Sequence, residues 1–468
     1  MTTTLTKLFA PKDMTVGAPW KRIVEFSIPM LIGNVAQQLY NTVDSIVIGR
    51  FVGDNALAAV GSALPVLHFL LVLFVAVATG AGIMVAQYFG ARDRARLSQS
   101  IGVCITLTAV ASTILMIVGP IIVRPLLVLI NTPESILDWC ANYLLILLIG
   151  NWGFSYFNIF SGILRGLGDS LSALVFLLIS TALNIILDIW FVAGLNLGVP
   201  GVALATVIAQ LVSAVLCLIK LSKMNDVFDL NLRLLKPAKE YAHQLLKLGL
   251  PSGLTQVIFS LAMITVQSLT NTFGEMIIAC NVIVMRVDGF AMMPNFSFGM
   301  AMTTYSGQNV GAKKFDRVEW GARQGLVIAV GISTVITMII LLFGRHLMSI
   351  FTDTVALVEL SMRMMRILAA GYIAMAITQV LSGVMRGAGD TITPMWISLI
   401  TTIFLRVPIA YGTAYFTRSA AYPHGRPESV FVSLLLAWVF GAAITSAFYK
   451  TGRWKRKALH ADRSVNLR

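Results

Sequence analysis

Charge is scarce in this chain of 468 residues. Only 12% of it is Asp, Glu, Lys or Arg, with 21 acids in all, where a soluble domain carries roughly 25%. There are four cysteines; Cys104, Cys140, Cys217 and Cys280 all lie in apolar stretches without CxxC spacing. That excludes a disulfide framework or a zinc site and leaves cysteine as a small hydrophobe. The five histidines are scattered, His68 and His346 among them. No HExxH or GxSxG motif and no GxxxxGK[ST] phosphate loop is found, so neither hydrolytic chemistry nor nucleotide-driven work is indicated.

Apolar sequence fills the space that charge vacates. Hydrophobic residues make up 57% and mean hydropathy is +0.82, and runs near the roughly 20 residues that a bilayer requires follow one another. The spacing predicts spans at 23–49, 56–89, 97–130, 138–163, 170–194 and 199–221, then at 243–272, 277–307, 321–350, 360–384, 391–416 and 428–450. Residues 1–19 are polar, and the first apolar run is too long for a cleaved signal, so it reads as a retained span.

The net charge of +14 suggests a nucleic-acid partner only until its placement is read. Lys7, Lys12, Lys21 and Arg22, then Arg92, Arg94 and Arg96, fall on alternate loops. Lys220, Lys223, Arg233, Lys236 and Lys239, then Lys313, Lys314 and Arg317, and the tail Arg453–Lys457 fall on the same side. The opposite loops carry little, with acid near Asn131–Glu134. This is the positive-inside pattern. It predicts a multi-pass membrane protein with both termini cytoplasmic and no nucleic-acid partner.

The chain is an internal repeat. SGILRGLGDS at Ser161 returns as LSGVMRGAGDT at Leu381, and Arg165 stands 221 positions before Arg386. The same offset joins Gly90 to Gly311, and Pro29 and Pro251 nearly so. Six spans per copy give both copies one orientation, a parallel repeat of the kind found in secondary transporters. The expected architecture is an all-α membrane protein of twelve transmembrane helices in two six-helix lobes, related by a pseudo-twofold axis along the membrane normal. Its expected domains are an N-terminal lobe 1–221, a cytoplasmic linker 222–240 and a C-terminal lobe 241–468 with a basic tail.

What the copies share reads as scaffold: the RGxGD glycines permit a turn, and Arg165–Asp169 and Arg386–Asp390 are candidate pins for it. What they do not share reads as function. An ionisable residue inside a span is costly and is a functional candidate by default. Asp44 and Asp188 align with Val266 and Ile409. Counted at about 1.5 Å per residue, Asp44, Asp188 and Thr206 lie roughly 9–12 Å below the outer surface, with Asn184 one turn deeper than Asp188. Two carboxylates, an amide and a hydroxyl at one level make an oxygen-rich site for a hard cation or for protons, or else a hydrogen-bond network holding spans 1, 5 and 6 together. Asp288 and Arg406 are matched in depth and are expected either to pair or to line a substrate cavity; Arg286 competes as a partner for Asp288. Met263 and Met292, in a Met- and Phe-rich stretch, are candidate walls of a promiscuous cavity. Pro29, beside Gly33 in the span of Asp44, is a candidate hinge.

These residues resemble the multidrug and toxic compound extrusion (MATE) family over nearly the whole chain. The resemblance rests on FSIPMLIGNVAQQLYNTVDSIVIGRFVG, on ALNIILDIWF followed by GVPGVALAT, and on the RGxGD pair. It implies a two-lobed antiporter that exports organic, often cationic, drugs or toxic compounds in exchange for H⁺ or Na⁺, with no cofactor. In the prokaryotic DinF-like branch, the resemblance places the ion site on Asp44, Asn184, Asp188 and Thr206, which would be metal ligands if the ion is Na⁺. It also assigns bending to Pro29. The NorM-like branch has acids in spans 7 and 10. Here Glu275 lies at the outer end of span 7 and Gln379 replaces an acid in span 10. A lipid-linked-precursor flippase and, more distantly, an intramembrane enzyme are the alternatives. Small organic solutes and the bilayer are the expected partners of a monomer.

Overall fold

A computed structural model describes residues 10–458 apart from 131, 237 and 421. Lys7 and Asn131, named above for loop charge, and Pro237 of the linker lie outside the described residues. The first half contains α1 (Pro19–Phe51), α2 (Asp54–Gly90), α3 (Arg94–Leu129), α4 (Glu134–Ile149), α5 (Asn151–Gly166), α6 (Ser170–Asp188) and α7 (Gly198–Ser222). The second contains α8 (Lys239–Asn271), α9 (Glu275–Gly311), α10 (Phe315–Ser349), α11 (Val355–Ala369), α12 (Gly371–Gly387), α13 (Ile392–Leu399), α14 (Val407–Phe416) and α15 (Glu428–Lys450).

Among the described residues, nine helical segments are long and apolar enough to cross a membrane, and two bent pairs bring the number to eleven. The pairs are α4 with α5, bent by 54°, and α11 with α12, bent by 43°. They are the same span in each copy. The first bend falls at Gly150, where any side chain would run into Val207. The remaining span is α1, 33 residues long, whose apolar character is diluted by Asn34, Gln37, Gln38 and Asp44. The chain is thus an all-helical membrane protein of twelve spans.

The bends were not legible as periodicity, and neither were two π-helical stretches. Ile189–Gly194 continues α6 directly after Asp188, and Ile400–Arg406 joins α13 to α14 and ends on Arg406. A π-helical turn takes in one extra residue relative to the regular register and re-aims the side chains beside it. Both stretches abut an ionisable residue singled out from the sequence.

Contacts divide the chain into two compact units: Pro29–Gly253 with the chain before Met14, and Met14–Ile28 with Leu254–Arg468. The boundaries fall inside helices, at Pro29 in α1 and two residues after Pro251 in α8. In the first unit, apolar cores gather Val47, Ile48, Tyr143 and Val202 in one cluster and Met84, Leu97, Phe160 and Phe228 in another. In the second, the core includes Met292, Met364, Met365, Tyr372 and Trp438.

Lipid removes most of the hydrophobic drive between helices, so close packing between small residues takes its place. The repeated segment supplies this. In S-G-I-L-R-G, a side chain at Gly162 would stand 2.5 Å from the Ala78 carbonyl, and one at Gly166 would stand 2.6 Å from the Gly82 carbonyl. Its counterpart S-G-V-M-R-G sets Gly383 against Gly299 and Gly387 against Thr303. Each pair is a GxxxG spacing that lets α5 lie on α2 and α12 lie on α9.

Among the described residues, the Arg–Asp pins expected in RGxGD are not found. Asp169 instead caps α6: its Oδ1 accepts from Ser172 N at 2.9 Å and its Oδ2 from Ser172 Oγ at 2.6 Å. Asp390 does the same for α13 with Thr393 N at 3.3 Å and Thr393 Oγ1 at 2.7 Å. A carboxylate at a helix start satisfies backbone donors that have no partner inside the helix, and this use competes with the arginine. Lysines supply the counter-charge: Lys220 lies 4.0 Å from Asp169 and Lys457 Nζ lies 2.6 Å from Asp390.

Candidate functional site

The structure brings Asp44, Asn184, Asp188 and Thr206 together inside the first unit. Asp44 comes from α1. Asn184 and Asp188 lie one turn apart on α6, and Thr206 is on the third turn of α7. Asn184 and Asp188 are fully buried and Thr206 nearly so. With its nitrogen turned toward the carboxylates, the Asn184 amide donates to Asp44 Oδ1 at 2.9 Å and to Asp188 Oδ2 at 3.2 Å. The other end of the amide then faces Thr206 Oγ1 at 3.5 Å. Asp44 and Asp188 thus share the Asn184 amide and act on each other directly, while Asp188 Oδ1 has no hydrogen-bond partner among the described residues.

Two tyrosines complete the cluster and were missed in the sequence. Tyr40 Oη donates to Thr206 Oγ1 at 3.2 Å. Tyr40 stands four residues before Asp44 and so shares its helix face, a signal that was available. Tyr143, buried on α4, lies within electrostatic reach of both carboxylates. Its place depends on the bend after α4, which the sequence pattern did not reveal.

The arrangement has a definite chemical consequence. An ionised carboxylate only accepts hydrogen bonds. Two of them in contact therefore need a proton between them or a cation beside them, since a bare pair of like charges in a buried site is strongly unfavourable. Among the described residues, no lysine or arginine pairs with either acid.

The other expected residues fall elsewhere. Pro29 lies within an unbroken α1. Met263 is 49% exposed, whereas Met292 is packed into the second unit's core. Asp288 and Arg406 lie within electrostatic reach of each other in the second unit, with no direct ion pair among the described residues, and the nearby Tyr372 hydroxyl donates to Met365 Sδ at 3.3 Å. Glu275 lies in the first turn of α9, and Gln379 packs against Gly299.

The profile of the MatE family matches this chain twice, over residues 29–190 and 251–412. The chain belongs to the MATE family of multidrug efflux transporters. The two matched segments are the two copies of the repeat. A relative from Bacillus subtilis (strain 168), the probable multidrug resistance protein YoeA, is 30% identical over 94% of this chain and 95% of its own length. A MATE crystal structure in a bent conformation superimposes with a TM-score of 0.88 at 25% identity, covering 95% of this chain and 98% of that one. Another, in a straight conformation, gives 0.87 at 26% identity with the same coverage. MATE proteins are multi-pass membrane transporters of small molecules rather than enzymes.

Proposed function

We propose that this MATE chain is a secondary antiporter that exports organic, chiefly cationic, compounds in exchange for H⁺ or Na⁺ bound in the first unit. The observation that carries the reading is the pair Asp44–Asp188, joined by the Asn184 amide with no basic residue to neutralise it among the described residues. A proton or a monovalent cation is the neutralising species. Asp44, Asn184, Asp188 and Thr206 supply the oxygen atoms, and the unpartnered Asp188 Oδ1 is the natural first acceptor. An oxygen set of this kind suits a hard cation as well as a proton.

Occupancy changes the charge of the site, and that is what coupling requires: an ion can shift a conformational equilibrium only by binding one state better than the other. Ion binding from outside removes the repulsion between α1 and α6. Ion release inside restores it, and the site is reset for the next organic solute. Pro29, fifteen residues before Asp44 on α1, is the residue at which the helix has lost a backbone hydrogen bond and bends most cheaply. We place the chain in the cytoplasmic membrane as a monomer, both termini cytoplasmic, on the basis of its loop charges.

The test uses the full-length protein in proteoliposomes loaded with a fluorescent organic cation. Dye movement is followed under an imposed pH gradient, then under an imposed Na⁺ gradient. Movement that follows one gradient and reverses with its direction is expected, and it names the ion. Dye movement indifferent to both gradients would remove the antiporter reading.

A further inference from the structure

The third span of each copy starts with a stripe that the two copies finish differently. In the first, Arg94, Ser98, Gly102 and Thr106 stand at four-residue intervals on α3 and share one face. The chain after α7 runs along that face. Arg94 binds the Asp229 carboxylate, Asp229 N donates to Ser98 Oγ at 2.8 Å, and Thr106 Oγ1 donates to the Leu235 carbonyl at 2.6 Å. Gly102 leaves room for the Leu234 carbonyl, which a side chain there would strike.

At the repeat offset of 221, the matching positions on α10 are Phe315, Glu319, Arg323 and Val327. Here the cover stops early. Glu319 pairs with Lys455, from the chain after α15, whose Trp454 is buried. Beyond it, Arg323 is exposed and Val327 is 74% exposed. Trp320, three residues before Arg323 on the same face, is 55% exposed. Among the described residues no carboxylate pairs with Arg323. Glu319, one turn away, is already answered by Lys455, and Asp316 lies two turns away.

Depth decides what can reach this stripe. With 35 residues, α10 is about 52 Å long, against roughly 30 Å of hydrocarbon. Centred on the bilayer, it runs about 11 Å past the hydrocarbon at each end, and Arg323, about 12 Å from its start, falls at the boundary with the headgroups. Indole rings collect at that level, and Trp320 is there. Deeper along the helix, Val335, Met338 and Leu342 continue the row as exposed apolar residues.

We propose that this stripe of α10 seats an anionic phospholipid of the cytoplasmic leaflet. The phosphate lies on Arg323, the headgroup beside the Trp320 indole, and an acyl chain follows Val327 into the bilayer. The lipid oxygen takes the level that the Leu234 carbonyl holds in the first copy. A zwitterionic headgroup brings its own ammonium to the phosphate, whereas an anionic one leaves that charge for the guanidinium. The leaflet follows from the loop charges, and the exporter reading is not used.

The test places the full-length protein in vesicles of phosphatidylcholine mixed with phosphatidylglycerol, one of the two carrying bromine in its acyl chains. Bromine quenches a tryptophan that it touches, and the signal of Trp320 is the difference between the wild type and Trp320→Phe. At equal mole fraction, brominated phosphatidylglycerol is expected to occupy the site about fivefold more readily than brominated phosphatidylcholine, the effect of one basic residue at a membrane surface. Arg323→Gln should bring that ratio to about one, while Arg323→Lys should keep most of it, since the ammonium retains the charge. Equal quenching by the two lipids in the wild type, which needs no change at Arg323, overturns the proposal. So does a ratio that Arg323→Gln leaves unchanged. A Trp320 that neither lipid quenches would show that another part of the chain covers the stripe, and loss of the preference on adding glycerol phosphate would show that the site takes a free anion instead; either result also overturns it.

Discussion

Each unit buries a small polar centre among apolar helices, but the two centres differ in charge balance. In the first unit, Asp44 and Asp188 share one amide with hydroxyls around them and, among the described residues, no base. In the second, Asp288 is accompanied by Arg406 and Tyr372. A pair of acids is incomplete without a proton or a cation, and its stability tracks the occupant. An acid with a guanidinium nearby is already neutral overall and responds little to small ions. The duplicated scaffold thus carries polar centres of different charge balance in its two copies, and only the first matches the coupling role proposed above. Positions that match across the repeat, such as the glycines of α5 and α12, have the same packing role twice.

The largest expected effect that separates the copies is loss of the coupling acid. Asp188→Asn is predicted to lower ion-driven export by about a hundredfold, near the upper range of coupling between two sites, with protein yield and helicity unchanged. Asp288→Asn should leave the gradient dependence in place. Flux assays on the two variants side by side check this. The next effect should be equal in both copies. Gly162→Val and Gly383→Val each push a side chain into a facing backbone carbonyl and should each destabilise by about 1–3 kcal/mol, read as a lower thermal midpoint in detergent. A large effect in one copy alone would show that the packing roles are not equivalent.

Capping comes next. Asp169→Ala and Asp390→Ala should each cost about 1 kcal/mol, with Asp390→Ala also releasing Lys457. The smallest effect concerns a tether in the first unit. Asp229, in the chain between α7 and α8, is bound by Arg94, with Nη2 to Oδ1 at 2.7 Å. That hydrogen bond and the nearby positive charge hold the Asp229 carboxyl below the usual carboxylate range. A depressed folded value means the stabilisation is full above the unfolded value, about pH 3.9, and is lost as pH falls through the folded one. The pair is exposed, so its effect is small. Hydrogen exchange over 225–235 should rise below pH 4 in the wild type and already be raised in Asp229→Asn.

Much of this was readable in the chain. The repeat, the span count and the shared level of Asp44, Asp188 and Thr206 follow from spacing and from the cost of charge in lipid. The roles inside RGxGD did not follow, because a carboxylate has two uses at a helix start and sequence does not choose between pairing and capping. The glycines of that motif, read as turn formers, pack helices as well; their four-residue spacing was visible but overshadowed by the charged residues. The bends at Gly150 and near Gly371 and the π-helical turns beside Asp188 and at Arg406 left no periodic signal. Two of them fall at glycines packed against a neighbour, Gly150 on Val207 and Gly371 on Trp438.

The most direct test of the division between units is exchange against flux in Asp188→Asn. Proteoliposomes are loaded with dye, and both gradient-driven export and dye-for-dye exchange at equilibrium are measured. The account predicts that Asp188→Asn still exchanges dye but no longer responds to the H⁺ or Na⁺ gradient. If Asp188→Asn remains gradient-driven while Asp288→Asn does not, coupling resides in the second unit and the account is contradicted.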